Sequence, residues 1–205
     1  MGFFSAENKI VQLLDIFFDY MLLLFLSLLF SVPIITIGPA SAAKYYTAMK
    51  IARGESPNVI RAFLKSFREN FRQGLVLEGI AGIGILILGV DWYIILHTNF
   101  GLASYVLLSV IAVATLIALF IGTYFFALLA RFHAGTFRIV KCAFLIGIGK
   151  FWAGILLAVC NLIVPILCLA WSLYAPFIWL IAGALLLNAK SHLLVMVLRR
   201  FENEG

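Results

Sequence analysis

Five apolar stretches, each long enough to cross a bilayer, constrain this chain more than any other feature. They lie near residues 13–37, 75–96, 102–130, 151–171 and 176–198. A hydrocarbon core about 30 Å thick needs roughly 20 helical residues. The third stretch extends about 43 Å at 1.5 Å per residue, so it must tilt or protrude. Backbone N–H and C=O groups in lipid need partners within their own segment, which makes each stretch a helix. The expected fold is therefore all-α: a polytopic membrane helix bundle of five transmembrane helices forming a single domain over 1–205. Composition agrees, because 64% of the 205 residues are hydrophobic and only 12% are charged. A soluble domain of this size lacks the interior volume to hide that much apolar surface.

The basic residues set the expected orientation. Fourteen of the fifteen Lys and Arg fall in the segment after the first stretch, in the segment after the third, or near the C-terminal end; Lys9 stands alone on the other side. Cations collect on the cytoplasmic side, so the N-terminus is expected outside and the C-terminus inside. The net charge of +6 then faces anionic inner-leaflet lipid, and nucleic acid is not needed to explain it. Trp92, Tyr93, Trp152, Trp171 and Tyr174 fall at stretch ends, where amphipathic rings prefer headgroup depth. Ala40-Ser41-Ala42 resembles a signal-peptidase site, but the preceding apolar run is too long and has no basic leader. Cys142, Cys160 and Cys168 show no disulfide or metal spacing and read as free thiols.

The segment at about 38–74 is expected to be cytoplasmic and helical. Pro33 removes a backbone donor and clashes one turn back, so the first span should kink or break there. Gly38-Pro39 then opens a new element, and Ala40–Arg53 reads as a short helix with Gly54 as its C-cap. Ala40, Ala43 and Thr47 form a small-residue stripe that lets another helix approach. From Pro57 to Gln73 the pattern is two-faced. Ile60, Phe63, Leu64, Phe67 and Phe71 share one side, and Arg61, Lys65, Arg68, Glu69 and Arg72 the other. Such a helix lies on the inner leaflet or docks its apolar face into a partner groove.

The run Pro33-Ile34-Ile35-Thr36-Ile37-Gly38-Pro39-Ala40, with Phe67-Arg68-Glu69-Asn70-Phe71 further on, resembles the YesL-like family of small bacterial multi-pass membrane proteins, a domain of unknown function. The likeness in layout runs over nearly the whole chain, but the later spans carry no matching signature. The resemblance implies a bacterial plasma-membrane location and an accessory role beside carbohydrate ABC importers, whose permease subunits would be the partners. It brings no catalytic residues.

Polar groups inside spans are site candidates by default. Asp15 and Asp19 share a face near the outer end of the first span; Asp91 and Trp92 lie near the outer end of the second. They make a candidate acidic and aromatic patch for a sugar or a partner, or acids that merely reach interfacial water. Glu78 and Lys190 have matched depth and opposite charge, so they either pair or Lys190 snorkels along its own helix. Asn161 and Asn188 are candidates for interhelical hydrogen bonds. No phosphate-binding loop, metal-ligand spacing or hydrolase motif occurs, so no catalytic, metal or cofactor role is expected. The expected function is that of a non-catalytic accessory or assembly subunit of a carbohydrate importer. A stand-alone small-solute transporter or channel is the alternative.

Overall fold

The computed structural model describes residues 3–98, 101, 103–131, 135–149, 151–171 and 174–202; Lys150 and His133 lie outside them, as do the side chains of Lys9 and Asn161. The described chain is all-helical: α1 (Phe3–Phe30), α2 (Ile37–Ala52), α3 (Val59–Glu69), α4 (Phe71–His97), α5 (Ala103–Arg131), α6 (Thr136–Gly149), α7 (Phe151–Ala170) and α8 (Ala175–Glu202). Among the described residues, three helical segments are long and apolar enough to span a bilayer, Val11–Phe30, Phe71–His97 and Ala175–Leu198; Ala103–Ala118 is a shorter apolar helix. The residues on α4 that point away from the bundle, Ile83, Leu86 and Val90, are exposed and aliphatic, as a lipid-facing surface requires.

The first span ends sooner than expected. α1 stops at Phe30 rather than running to Ile37, because Pro33 cannot continue its ladder. A 3-10 turn, Ile34–Thr36, follows. Thr36 Oγ1 donates to the Phe30 carbonyl at 2.6 Å and lies 2.8 Å from the Pro33 carbonyl oxygen, which satisfies acceptors the broken helix leaves open. α2 then begins, with Pro39 in its first turn. It closes at Gly54, whose φ is +79°. Gly54 N–H donates to Ile51 O at 2.9 Å and Glu55 N–H to Lys50 O at 3.1 Å, the paired bonds of a Schellman ending.

α2 forms the centre of the bundle. It packs against α1, α3, α4, α5 and α8, and Ala40, Ala42, Ala43, Thr47, Ala48 and Met49 are almost wholly buried. Alanine at four of these positions lets five neighbours come close to one short helix. The segment expected as a cytoplasmic helix that another helix approaches closely thus contributes much of the core.

α3 is also shorter than the expected helix. Asn58 caps it, its side chain accepting from Arg61 N–H at 3.1 Å. It stops at Glu69, with Asn70 Nδ2 donating to the Ser66 carbonyl at 3.0 Å; Phe71 opens α4. α6 is a helix within the stretch read as a connection after the third span. Ile139 and Ala143 bury its inner face, and that i, i+4 pair was the available signal.

Candidate functional site

The first of the two runs that carry the family resemblance packs against α4, a few residues beyond the second run. Gly38 and Pro39, at the start of α2, lie against Gly74 and Glu78 in the first turns of α4. A Cβ on Gly38 would come within 2.5 Å of the Gly74 carbonyl oxygen, and one on Gly74 within 2.8 Å of Pro39 N. Only glycine permits this approach. Gly38 N–H donates to Glu78 Oε2 at 3.0 Å. Glu78 thus places a carboxylate on the amide-rich end of α2, where the helix dipole favours negative charge. The contact described for Glu78 is this amide; the expected pair with Lys190 is not among the described ion pairs. Described ion pairs include Lys50–Glu55, Arg53–Glu55 and Lys65–Glu69. Matched depth did not reveal that a broken helix end would sit closer to Glu78.

The apolar face of α3 is occupied within the chain. Phe63 is fully buried. The Phe30 ring of α1 packs edge-on against Phe63 and Phe67, with centroids 5.4 and 5.0 Å apart, and Phe67 meets Phe71 at 5.5 Å. Leu64 is half-buried against the same core, while Ile60 is 47% exposed. The reading of Ile60, Phe63, Leu64, Phe67 and Phe71 as a free partner-docking face is therefore corrected. Amphipathic spacing demands a cover for the apolar side, and α1 with α2 provides it.

The outer acidic and aromatic patch is not assembled as one site. Asp15 is exposed and Asp19 half-buried on α1, which packs with α2, α3 and α8. Asp91 and Trp92 stand on α4, whose outer partner is α5. Trp92 Nε1 donates to Thr115 Oγ1 at 3.0 Å, so this ring ties α4 to α5.

That tie lies along a lateral groove of about 750 Å³ between α4 and α5, to which α2 contributes Ser41 and Tyr45. Ala81, Gly84 and Gly89 line one wall, Ala118 and Gly122 the other. A Cβ on Gly84, Gly89 or Gly122 would meet nothing within 4 Å. The fold itself does not need glycine there, yet each glycine in a helix interior costs about 1 kcal/mol relative to alanine. Sequence reasoning missed this feature, although the glycines repeated along α4 were its visible signal.

A second polar junction lies where α1, α2 and α8 converge. Tyr20 OH is 2.8 Å from Ser191 Oγ and donates to the Ala48 carbonyl at 3.3 Å. Lys44 is half-buried but surrounded by protein; burial first, and the Lys190 charge second, push its ammonium down to about 8. Burial pushes the neighbouring Tyr45 phenol up to about 12. Cys142, Cys160 and Cys168 are free thiols.

Fold and surface together define a helical bundle of the membrane-spanning type, built around a short buried helix. Residues 18–92, from within α1 through most of α4, match the family described as "Protein of unknown function, DUF624". The match includes both runs and the close approach of Gly38 to Gly74. No curated protein and no solved structure gives a significant match to the chain.

Proposed function

We propose that this chain is a non-catalytic accessory or assembly subunit of a carbohydrate ABC importer in the bacterial plasma membrane. In this reading the chain crosses five times, through α1, α4, α5, α7 and α8, with the start of α1 outside and the end of α8 in the cytoplasm. The distribution of Lys and Arg supports that orientation. The observation that carries the subunit role is the α4–α5 groove, with glycine on both walls at positions the fold leaves open. Small residues are what membrane helices use to approach one another, and a groove between two helices receives the ridge of a third. The occupant is a membrane helix of an importer permease. The carbohydrate class rests on the resemblance of the Pro33–Ala40 and Phe67–Phe71 runs to the YesL-like family.

Affinity purification of the tagged protein from native membranes tests this reading. Permease subunits of a carbohydrate importer should co-elute, and oligosaccharide uptake should fall when the gene is removed. The broken entry to α2, with its amide end held by Glu78 inside the bundle, favours the transporter alternative, since transporters build sites at such breaks. Solute uptake by liposomes holding this protein alone, without co-eluting permeases, would replace the subunit reading with that one.

A further inference from the structure

The polar groups along the α4–α5 groove are satisfied at one end and open at the other. At the Trp92 end they serve one another: Trp92 Nε1 donates to Thr115 Oγ1 at 3.0 Å, and Thr115 Oγ1 donates to the Ile111 carbonyl at 2.7 Å. Where α2 lines the groove, it presents Ser41 and Tyr45, four residues apart and so on one face of that helix. Ser41 is half-buried and Tyr45 only 8% exposed, yet neither hydroxyl has a hydrogen-bond partner among the described residues.

Two contacts set the depth of these hydroxyls. Gly38, three residues before Ser41, is held by Glu78 on α4. Ala48, three residues after Tyr45, accepts from Tyr20 on α1, about 15 Å along that helix from its end at Phe30. Glu78 and Tyr20 both stand within apolar segments of spanning length, and Ser41 and Tyr45 lie between their levels. An acyl chain filling the groove offers no hydrogen bond there, and lipid headgroups stay at the membrane surface. A buried hydroxyl left unpaired is costly. The occupant that removes this cost brings a polar group of its own to this depth, as the side chain of a membrane helix does.

We propose that the helix received by the groove carries an Asn or Gln side chain that hydrogen-bonds the hydroxyls of Ser41 and Tyr45. A carboxamide has a separate donor and acceptor, so one side chain serves both hydroxyls, and it enters the hydrocarbon without a charge. Along the walls formed by Gly84, Gly89, Ala118 and Gly122 the groove requires only apolar shape. This contact, which rests on the subunit reading, makes the groove choose among membrane helices by one polar residue.

The test uses the full chain in native membranes, with a benzophenone side chain in place of Ile85 on the groove wall. With both hydroxyls present, the protein adduct should map to a membrane helix bearing Asn or Gln. Ser41→Ala and Tyr45→Phe should each lower the adduct yield about threefold or more. Replacing the mapped carboxamide residue by Ala should lower it at least as much, and should add nothing once both hydroxyls are gone. Ser109→Ala, on the exposed side of α5 where the hydroxyl returns to the Tyr105 carbonyl, should leave the yield unchanged. If one hydroxyl variant fails to insert at its normal level, the other decides. A protein adduct whose yield is undiminished without the hydroxyls, or whose helix has no carboxamide, would overturn this contact and leave the subunit reading standing. Lipid adducts alone with both hydroxyls present would overturn both.

Discussion

Replacing Gly38 with alanine sets two principles against each other. Helix propensity alone favours Gly38→Ala by about 1 kcal/mol, since alanine restricts the unfolded chain and suits a helix. The structure predicts the opposite sign. The new Cβ would lie 2.5 Å from the Gly74 carbonyl oxygen and 2.9 Å from Glu78 Cβ. The first obstacle is backbone of another helix, so relief requires α2 and α4 to part. Overpacking of this kind costs about 1–3 kcal/mol, and parting also weakens the Gly38–Glu78 bond, a charge-assisted contact of about 1.5–3 kcal/mol. After subtracting the propensity gain, the net loss is about 2–4 kcal/mol. At 2–4 °C per kcal/mol for a chain of this size, the melting temperature should fall by roughly 5–15 °C. Gly74→Ala, blocked by Pro39 at 2.8 Å, should behave alike. Gly79→Ala and Gly82→Ala on the same α4 meet nothing within 4 Å and should be neutral or raise the melting temperature slightly. Purified variants in one detergent, melted side by side, give the comparison. If Gly38→Ala melts with Gly82→Ala, the close α2–α4 contact and the arguments built on it are wrong.

Four further outcomes follow from the same contacts. Glu78→Gln and Lys190→Gln should be additive within about 0.5 kcal/mol in a double-mutant cycle, because the described partner of Glu78 is the amide end of α2. Phe63→Ala should cost about 3–5 kcal/mol, while Ile60→Ala, half-exposed on the same helix, should cost about 1 or less. Lys44 should impose a pH dependence. Its folded value near 8 lies below the unfolded 10.5, so between those pH values the unfolded chain holds the extra proton; wild type should gain about 1–3 kcal/mol on Lys44→Gln as pH rises through that window, with no difference in slope below it. Cysteines placed singly at Ser56 and Ser104 should label from opposite sides of the membrane, Ser56 from the cytoplasm; labelling of Ser56 from outside would invert the proposed orientation.

What could be read in the residues differs sharply between neighbouring elements. The break at Pro33 and the ending at Gly54 were legible because proline and glycine act on their own backbone, within a turn of themselves. The apolar stretches were legible because bilayer thickness is an external ruler. The central place of α2 was not. Ala40, Ala43 and Thr47 announce that something packs closely, but not that five helices do, and Lys44 and Lys50 draw the eye toward solvent. The two-faced pattern of α3 is the same whether lipid, a partner or Phe30 covers it. Glu78 has no local mark of a cap, since the helix it caps begins forty residues earlier. The α4–α5 groove was hidden for a similar reason: Gly84 and Gly122 become informative only once the space beside them is seen to be empty.

The claim that this protein works as a subunit through the α4–α5 groove is tested most directly by photo-crosslinking in native membranes. A benzophenone side chain in place of Ile85, which lines the groove, is compared with the same group in place of Leu86, on the exposed outer surface of α4. The account predicts a discrete protein adduct from the Ile85 position, identified by mass as an importer permease, with the Leu86 position giving lipid adducts. Lipid adducts alone from both positions, with the protein inserted at its normal level, would contradict it.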